Sequence, residues 1–108
     1  MISEFVANCE KRIEKFAEEK GLNLSTKKEY KESEEETGLL YSVNNFKIEL
    51  KNDQITMFGK YNSRFYEMQD YDNFDELVDA FLPDLLIFYN NPHMVKHPLK
   101  RLFKKTIK

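Results

Sequence analysis

The sequence predicts an α+β domain, a two-layer sandwich made of an N-terminal helix, a four- to five-stranded antiparallel meander and a C-terminal helix or helices. Three observations predict it. Apolar residues recur every three or four positions towards both ends of residues 1–91, they alternate with polar residues between those ends, and turn-forming pairs cut the alternating stretch into short runs. With 108 residues, 41% of them hydrophobic, the chain has enough apolar material for one core and too little for two. That excludes multidomain enzyme architectures. Only 3 Gly and 3 Pro against 9 Phe and 6 Tyr excludes wholesale disorder.

The first helix is read from Ile2, Phe5, Val6, Cys9, Ile13, Phe16 and Ala17, which fall on one stripe, while Glu10, Lys11, Glu14, Lys15, Glu18 and Glu19 take the other faces. Ser3 is placed to cap its start and Gly21 to end it. Cys9 lies inside the apolar stripe, so it reads as a buried, inert thiol. One cysteine cannot form an intramolecular disulfide, and Glu4, Glu10, Lys11 and Arg12 break up any leader-like apolar stretch. The longest apolar cluster, Leu85 to Tyr89, is far too short to span a bilayer. A cytoplasmic protein is expected.

From Leu22 the period becomes two. Leu22, Leu24, Thr26, Lys28 and Tyr30 suggest an edge strand, which dissolves into the acidic run Glu32, Ser33, Glu34, Glu35, Glu36. That run lacks the spacing of a calcium loop and reads as a solvated connection. The strongest local signal is Phe46, Ile48 and Leu50 alternating with Lys47, Glu49 and Lys51, a strand with one dry face. Asn44-Asn45 before it and Asn52-Asp53 after it predict tight hairpins to partners at 39–43 and 54–59. A further strand is expected from Arg64 to about Gln69, after a turn at Tyr61-Asn62-Ser63.

The second helix is expected to start at Asn73, with Glu76 three residues on as in a capping box and Phe74, Leu77, Val78, Phe81 and Leu82 as its apolar stripe. Pro83 either kinks this helix or opens a new one. Leu85, Leu86, Phe88 and Tyr89 continue the apolar surface until Asn90-Asn91-Pro92 ends it. Beyond the domain at 1–91, residues 92–108 form a basic segment. Leu99, Leu102, Phe103 and Ile107 on one side predict a short helix, too short to be stable alone and so docked on the domain.

Charge is the least ordinary feature. In residues 1–91 eleven basic residues stand against all nineteen acidic ones, a balance of −8, whereas residues 92–108 carry six basic residues and no acid, +6. The formal total of −2 conceals that division.

Chemical motifs are few. There is no Gly-rich phosphate loop, no nucleophile elbow and no Cys-x-x-Cys pair. His93 and His97 have a zinc-like spacing, but Pro98 opposes helical geometry at His97 and no third ligand lies close in sequence. Asp70, Asp72, Asp75, Glu76, Asp79 and Asp84 gather around the start and polar side of the second helix, where acids complement the helix dipole. No enzyme activity, metal, cofactor or small-molecule substrate is inferred.

A small binding or regulatory protein acting through protein–protein contacts is therefore expected, the partner being another protein or a second copy; an acidic inhibitor or immunity-type protein is one form of it. Its candidate contact residues are Tyr61, Phe65, Tyr66, Tyr71, Asp75, Glu76 and Asp79, aromatic anchors beside carboxylates that steer a basic partner. The alternative is a nucleic-acid-binding accessory protein that uses Lys96, Lys100, Arg101, Lys104, Lys105 and Lys108 on phosphates. The acidic body opposes that alternative by repelling polyanions.

Overall fold

A computed structural model of the chain describes residues 2–43, 46–59 and 63–91. Its first helix, α1 (Glu4–Lys20), begins where Ser3 Oγ accepts the Val6 N–H at 3.2 Å, which satisfies one of the free amides of the first turn. It ends at Gly21, whose φ of 69° lets the Leu22 N–H turn back to the Ala17 carbonyl at 2.8 Å.

Five strands follow: β1 (Thr26–Lys31), β2 (Thr37–Val43), β3 (Phe46–Lys51), β4 (Gln54–Phe58) and β5 (Ser63–Glu67). They form one antiparallel sheet in sequence order, the expected meander. β1 starts later than the alternation from Leu22 predicts. The Asn23 N–H is held by the Tyr89 hydroxyl at 2.9 Å, the Asn23 side chain accepts the Ser25 N–H, and Ser25 takes a φ of 40°. One local side-chain bond and one from the distant Tyr89 thus hold residues 22–25 as a link and not as ladder. Between β3 and β4, Asn52 and Asp53 make the two-residue connection, with Asp53 at a φ of 64°. β5 is also shorter than expected, because the chain enters a 3-10 turn at Met68–Asp70 once the Met68 N–H reaches the Asp53 carbonyl.

The second helix, α2 (Phe74–Asn90), is capped by Asn73, whose Oδ1 accepts the Glu76 N–H at 2.9 Å, while Glu76 Oε2 accepts the Asp72 N–H. It runs unbroken through Pro83. The carbonyl that this proline leaves unpaired belongs to Asp79, on the exposed side of the helix where water can take the bond. Both helices pack on the same face of the sheet. Val6, Cys9 and Ile13 of α1 and Leu77, Val78, Phe81, Leu85 and Phe88 of α2 meet Leu39, Tyr41, Val43, Phe46, Ile48, Leu50, Ile55, Met57 and Tyr66 in one core. Edge-to-face rings tie the layers, with Tyr66 and Phe81 at 5.4 Å and Phe46 and Phe88 at 6.0 Å. The expected turns at Asn44-Asn45 and Tyr61-Asn62, both histidines and the basic segment 92–108 lie outside the described residues.

At Gly38 a neighbour requires the absence of a side chain. A Cβ there would stand 2.5 Å from Tyr30 Cζ, because the Tyr30 ring lies across Gly38 from the adjacent strand and donates its hydroxyl to Glu49 at 2.7 Å. Gly38→Ala is expected to push that ring aside, break the bond to Glu49 and lower stability by about 1–2 kcal/mol. Urea titration reads this directly; an unchanged midpoint would mean that the ring moves at no cost.

Candidate functional site

Strand alternation divides every strand between two faces. Those that turn inward are covered by the helices. Among the described residues no helix lies over the outward ones, and there the pairing aligns Lys28, Leu40, Glu49, Thr56 and Phe65 in one row across all five strands. The next row holds Thr26, Ser42, Lys47, Phe58 and Ser63. Phe58 and Phe65 are diagonal neighbours on adjacent strands, close enough for their rings to share one patch. They are 36% and 60% exposed, whereas single apolar side chains in strands usually turn inward. Thr56, directly across from Phe65, is only 2% exposed and takes the Gln54 amide at 3.5 Å, so the patch has a dry centre.

The polar groups around this patch are paired in part. Glu49 accepts from Tyr30 and stands 3.9 Å from Lys51, which also reaches Glu32 at 3.5 Å. Burial first, and then the bond to Glu49, raise the Tyr30 pKa, so this hydroxyl stays protonated and keeps donating. Lys28 and Lys47 are exposed on the same face. The carboxylates of Glu10, Glu14, Asp75, Glu76 and Asp79 belong to the helix layer. The two helices hold nine of the nineteen acidic residues, and the open sheet face carries Lys28, Lys47 and Lys51 beside Glu49, Glu67 and the two phenylalanines.

The structure divides the predicted contact set. Phe65 stands on the open sheet face. Tyr66 points the other way, 5% exposed, and donates its hydroxyl to Asp84 at 2.6 Å; Arg64 reaches the same carboxylate at 3.3 Å and lies over the Phe88 ring. Tyr71 is half-buried against the core. Asp75, Glu76 and Asp79 are exposed on α2, where Asp75 pairs with Arg12 at 2.9 Å and Glu76 serves the helix start. Tyr61 and the six basic residues of 92–108 are outside the described region. Phe58 and Leu40 escaped the sequence reading. Their signal was parity: once Ile55 and Met57 face the core, Phe58 must face away.

A second polar cluster lies at the opposite edge of the sheet. Lys27 bridges Glu10 and Glu14, and the Tyr41 hydroxyl donates to the same Glu14 carboxylate at 3.0 Å. Lys27, Glu14 and Tyr41 border an open pocket of about 320 Å3 that Leu22, Leu24 and Ser25 also line. The bond from Lys27 holds the Glu14 carboxyl below its usual pKa, and the two carboxylates hold Lys27 above its own. These charges satisfy one another. Burial pushes the Cys9 thiol up to about 12, so it is protonated at neutral pH. Among the described residues no three His, Cys, Asp or Glu side chains are grouped to hold a metal ion, and no helix is long and apolar enough to cross a membrane.

Comparison with known protein families, curated proteins and solved structures finds no match to this chain.

Proposed function

We propose that this chain is a small non-catalytic binding protein that acts through protein–protein contacts, and that its contact surface is the open face of the sheet around Phe58 and Phe65. One observation carries the reading: two neighbouring phenylalanines, exposed by 36% and 60%, on the only sheet face that no described helix covers. Rigid strands hold both rings without a partner, so little conformational entropy is lost when they are buried. Aromatic side chains of this kind are the usual anchors of protein interfaces. Lys28, Lys47, Lys51 and Glu49 supply a polar rim of both signs.

Affinity capture from the native host tests the reading. Phe58→Asp is expected to weaken capture of a specific protein by roughly thirtyfold, the effect of losing one interface anchor. Asp75→Ala and Asp79→Ala, on the helix layer, are expected to leave it within a few-fold. Equal capture by wild type and Phe58→Asp, with loss in the helix-layer variants, would move the surface to the acidic side. Capture that vanishes on nuclease treatment would favour the nucleic-acid alternative carried by residues 92–108.

A further inference from the structure

The two edges of the sheet differ in a way that bears on what the chain binds. β1 is a guarded edge. It carries Lys27, Lys28 and Lys31, and Lys27 is turned inward onto Glu10 and Glu14, so another strand cannot approach without meeting charge. β5 has no lysine and no proline, and an exposed Phe65 stands at its middle.

The hydrogen-bond parity of β5 follows from one contact. The Met68 N–H bonds the Asp53 carbonyl, and the register places Tyr66 opposite Ile55 and Arg64 opposite Met57. Bonded and non-bonded pairs alternate along an antiparallel ladder, so Tyr66 and Arg64 are tied to β4. The N–H and C=O groups of Ser63, Phe65 and Glu67 consequently point outward from the edge. Phe65 lies midway between the other two.

We propose that two copies of this chain pair edge to edge through β5, antiparallel, about a two-fold axis at Phe65; the proposal rests on the protein-contact reading above and names a second copy as one partner. In that register Phe65 faces Phe65 of the other copy, and Ser63 faces Glu67. Each outward backbone group then meets its counterpart, about six hydrogen bonds in all. The two phenyl rings lie side by side on the open face. On the helix side Arg64 falls opposite Tyr66, so no like charges oppose each other anywhere along the strand. A two-fold interface requires such self-complementarity, and a five-residue strand centred on its one exposed aromatic supplies it.

The flank of α2 next to this edge is compatible with a neighbour. Ala80, Asp84 and Ile87 recur at helical spacing on one side of α2, and Asp84 marks that side by its bonds to Arg64 and Tyr66 of β5. From Ala80 to Ile87 this flank is small and apolar, and its carboxylate at Asp84 is already occupied. Pairing through β5 joins the two open faces into one continuous surface with Phe65 at its centre and Phe58 on either side.

Sedimentation and cysteine cross-linking of the full chain test this pairing. Wild type is expected at twice its 13.0 kDa mass across a wide concentration range. Phe65→Asp, which sets two carboxylates face to face, and Phe65→Pro, which deletes the outward N–H and no ladder bond to β4, are both expected at the monomer mass with unchanged far-ultraviolet dichroism. Under mild oxidation Phe65→Cys is expected to give a covalent dimer, since the paired positions stand about 5.5 Å apart. Ser63→Cys is expected to give none, because its two copies lie about 13 Å apart across the axis. Cys9 is buried and does not compete.

A monomer at every concentration overturns the pairing. So does a dimer that Phe65→Cys fails to link, which places the contact elsewhere. A monomer whose amides at 63, 65 and 67 resist hydrogen exchange also overturns it, and gives that edge to the chain's own residues 92–108. Because Phe58 lies off the edge, a monomer that still captures a partner in a Phe58-dependent way removes the pairing alone and leaves the protein-binding reading standing.

Discussion

Phe81→Ala is expected to lower the free energy of unfolding by about 3–5 kcal/mol, the usual cost of emptying a closed aromatic site. Phe81 is 0% exposed, stands midway along α2 and meets the Tyr66 ring edge to face at 5.4 Å. Its truncation removes both the transfer energy and the ring contact, and the rigid sheet beneath leaves the cavity no way to collapse. Small domains hold only about 5–15 kcal/mol in total, so the variant should lie close to unfolding at body temperature. Chemical denaturation measures the loss. A change below 1 kcal/mol would show that α2 does not seat on the sheet as described.

Stability is expected to fall steeply above about pH 10, the ordinary range of a tyrosine. Burial raises the pKa of Tyr41 and of Tyr66, and a hydrogen bond to a carboxylate, Glu14 or Asp84, adds to it in each case. Burial likewise raises Cys9 from 9.0 to about 12. For a group raised on folding, the stabilisation is complete below its unfolded pKa and is lost as pH climbs towards the folded one, because only the unfolded chain can shed the proton. Each such group costs about 1.4 kcal/mol per pH unit over that interval. Two tyrosines and a thiol acting together make roughly 4 kcal/mol per unit, enough to unfold a domain of this size within a unit or two. Tyrosinate absorbance should rise together with the loss of helix, in one transition. A gradual rise near pH 10 with the fold intact would mean that these hydroxyls are open to solvent.

Much of the fold was legible because local signals agreed with one another. The alternation through Phe46, Ile48 and Leu50, the caps at Ser3 and Asn73 and the stop at Gly21 each express a constraint within a few residues, and all stand in the structure. What was not legible depends on distant residues. The link at 22–25 is held by Tyr89, more than sixty positions away, and no periodicity encodes that hydroxyl. Pro83 signals either a kink or a new helix because its missing donor is a local fact, while the burial of Leu85 and Phe88 that carries α2 through it is a tertiary one.

The candidate site was legible in part for the same reason. Phe65 stood out as an aromatic in a charged stretch, but grouping it with Tyr66, Tyr71 and the α2 carboxylates ignores that neighbours in a strand face opposite ways. The open face becomes visible only once five strands are set in register, which brings Phe58 from one strand beside Phe65 from the next. Lys27, Glu14 and Tyr41 come from three separate elements and carry no sequence motif at all.

Site-specific photo-cross-linking in the native host tests the open sheet face most directly. A photoreactive phenylalanine analogue placed at Phe58 or at Phe65 keeps the size and apolarity of the ring, and the same analogue at Asp79 samples the helix layer. Cross-links from 58 and 65 to a defined protein, with none from 79, are the result expected if the open face is the contact surface; cross-links from 79 alone, or from none of the three, would contradict it.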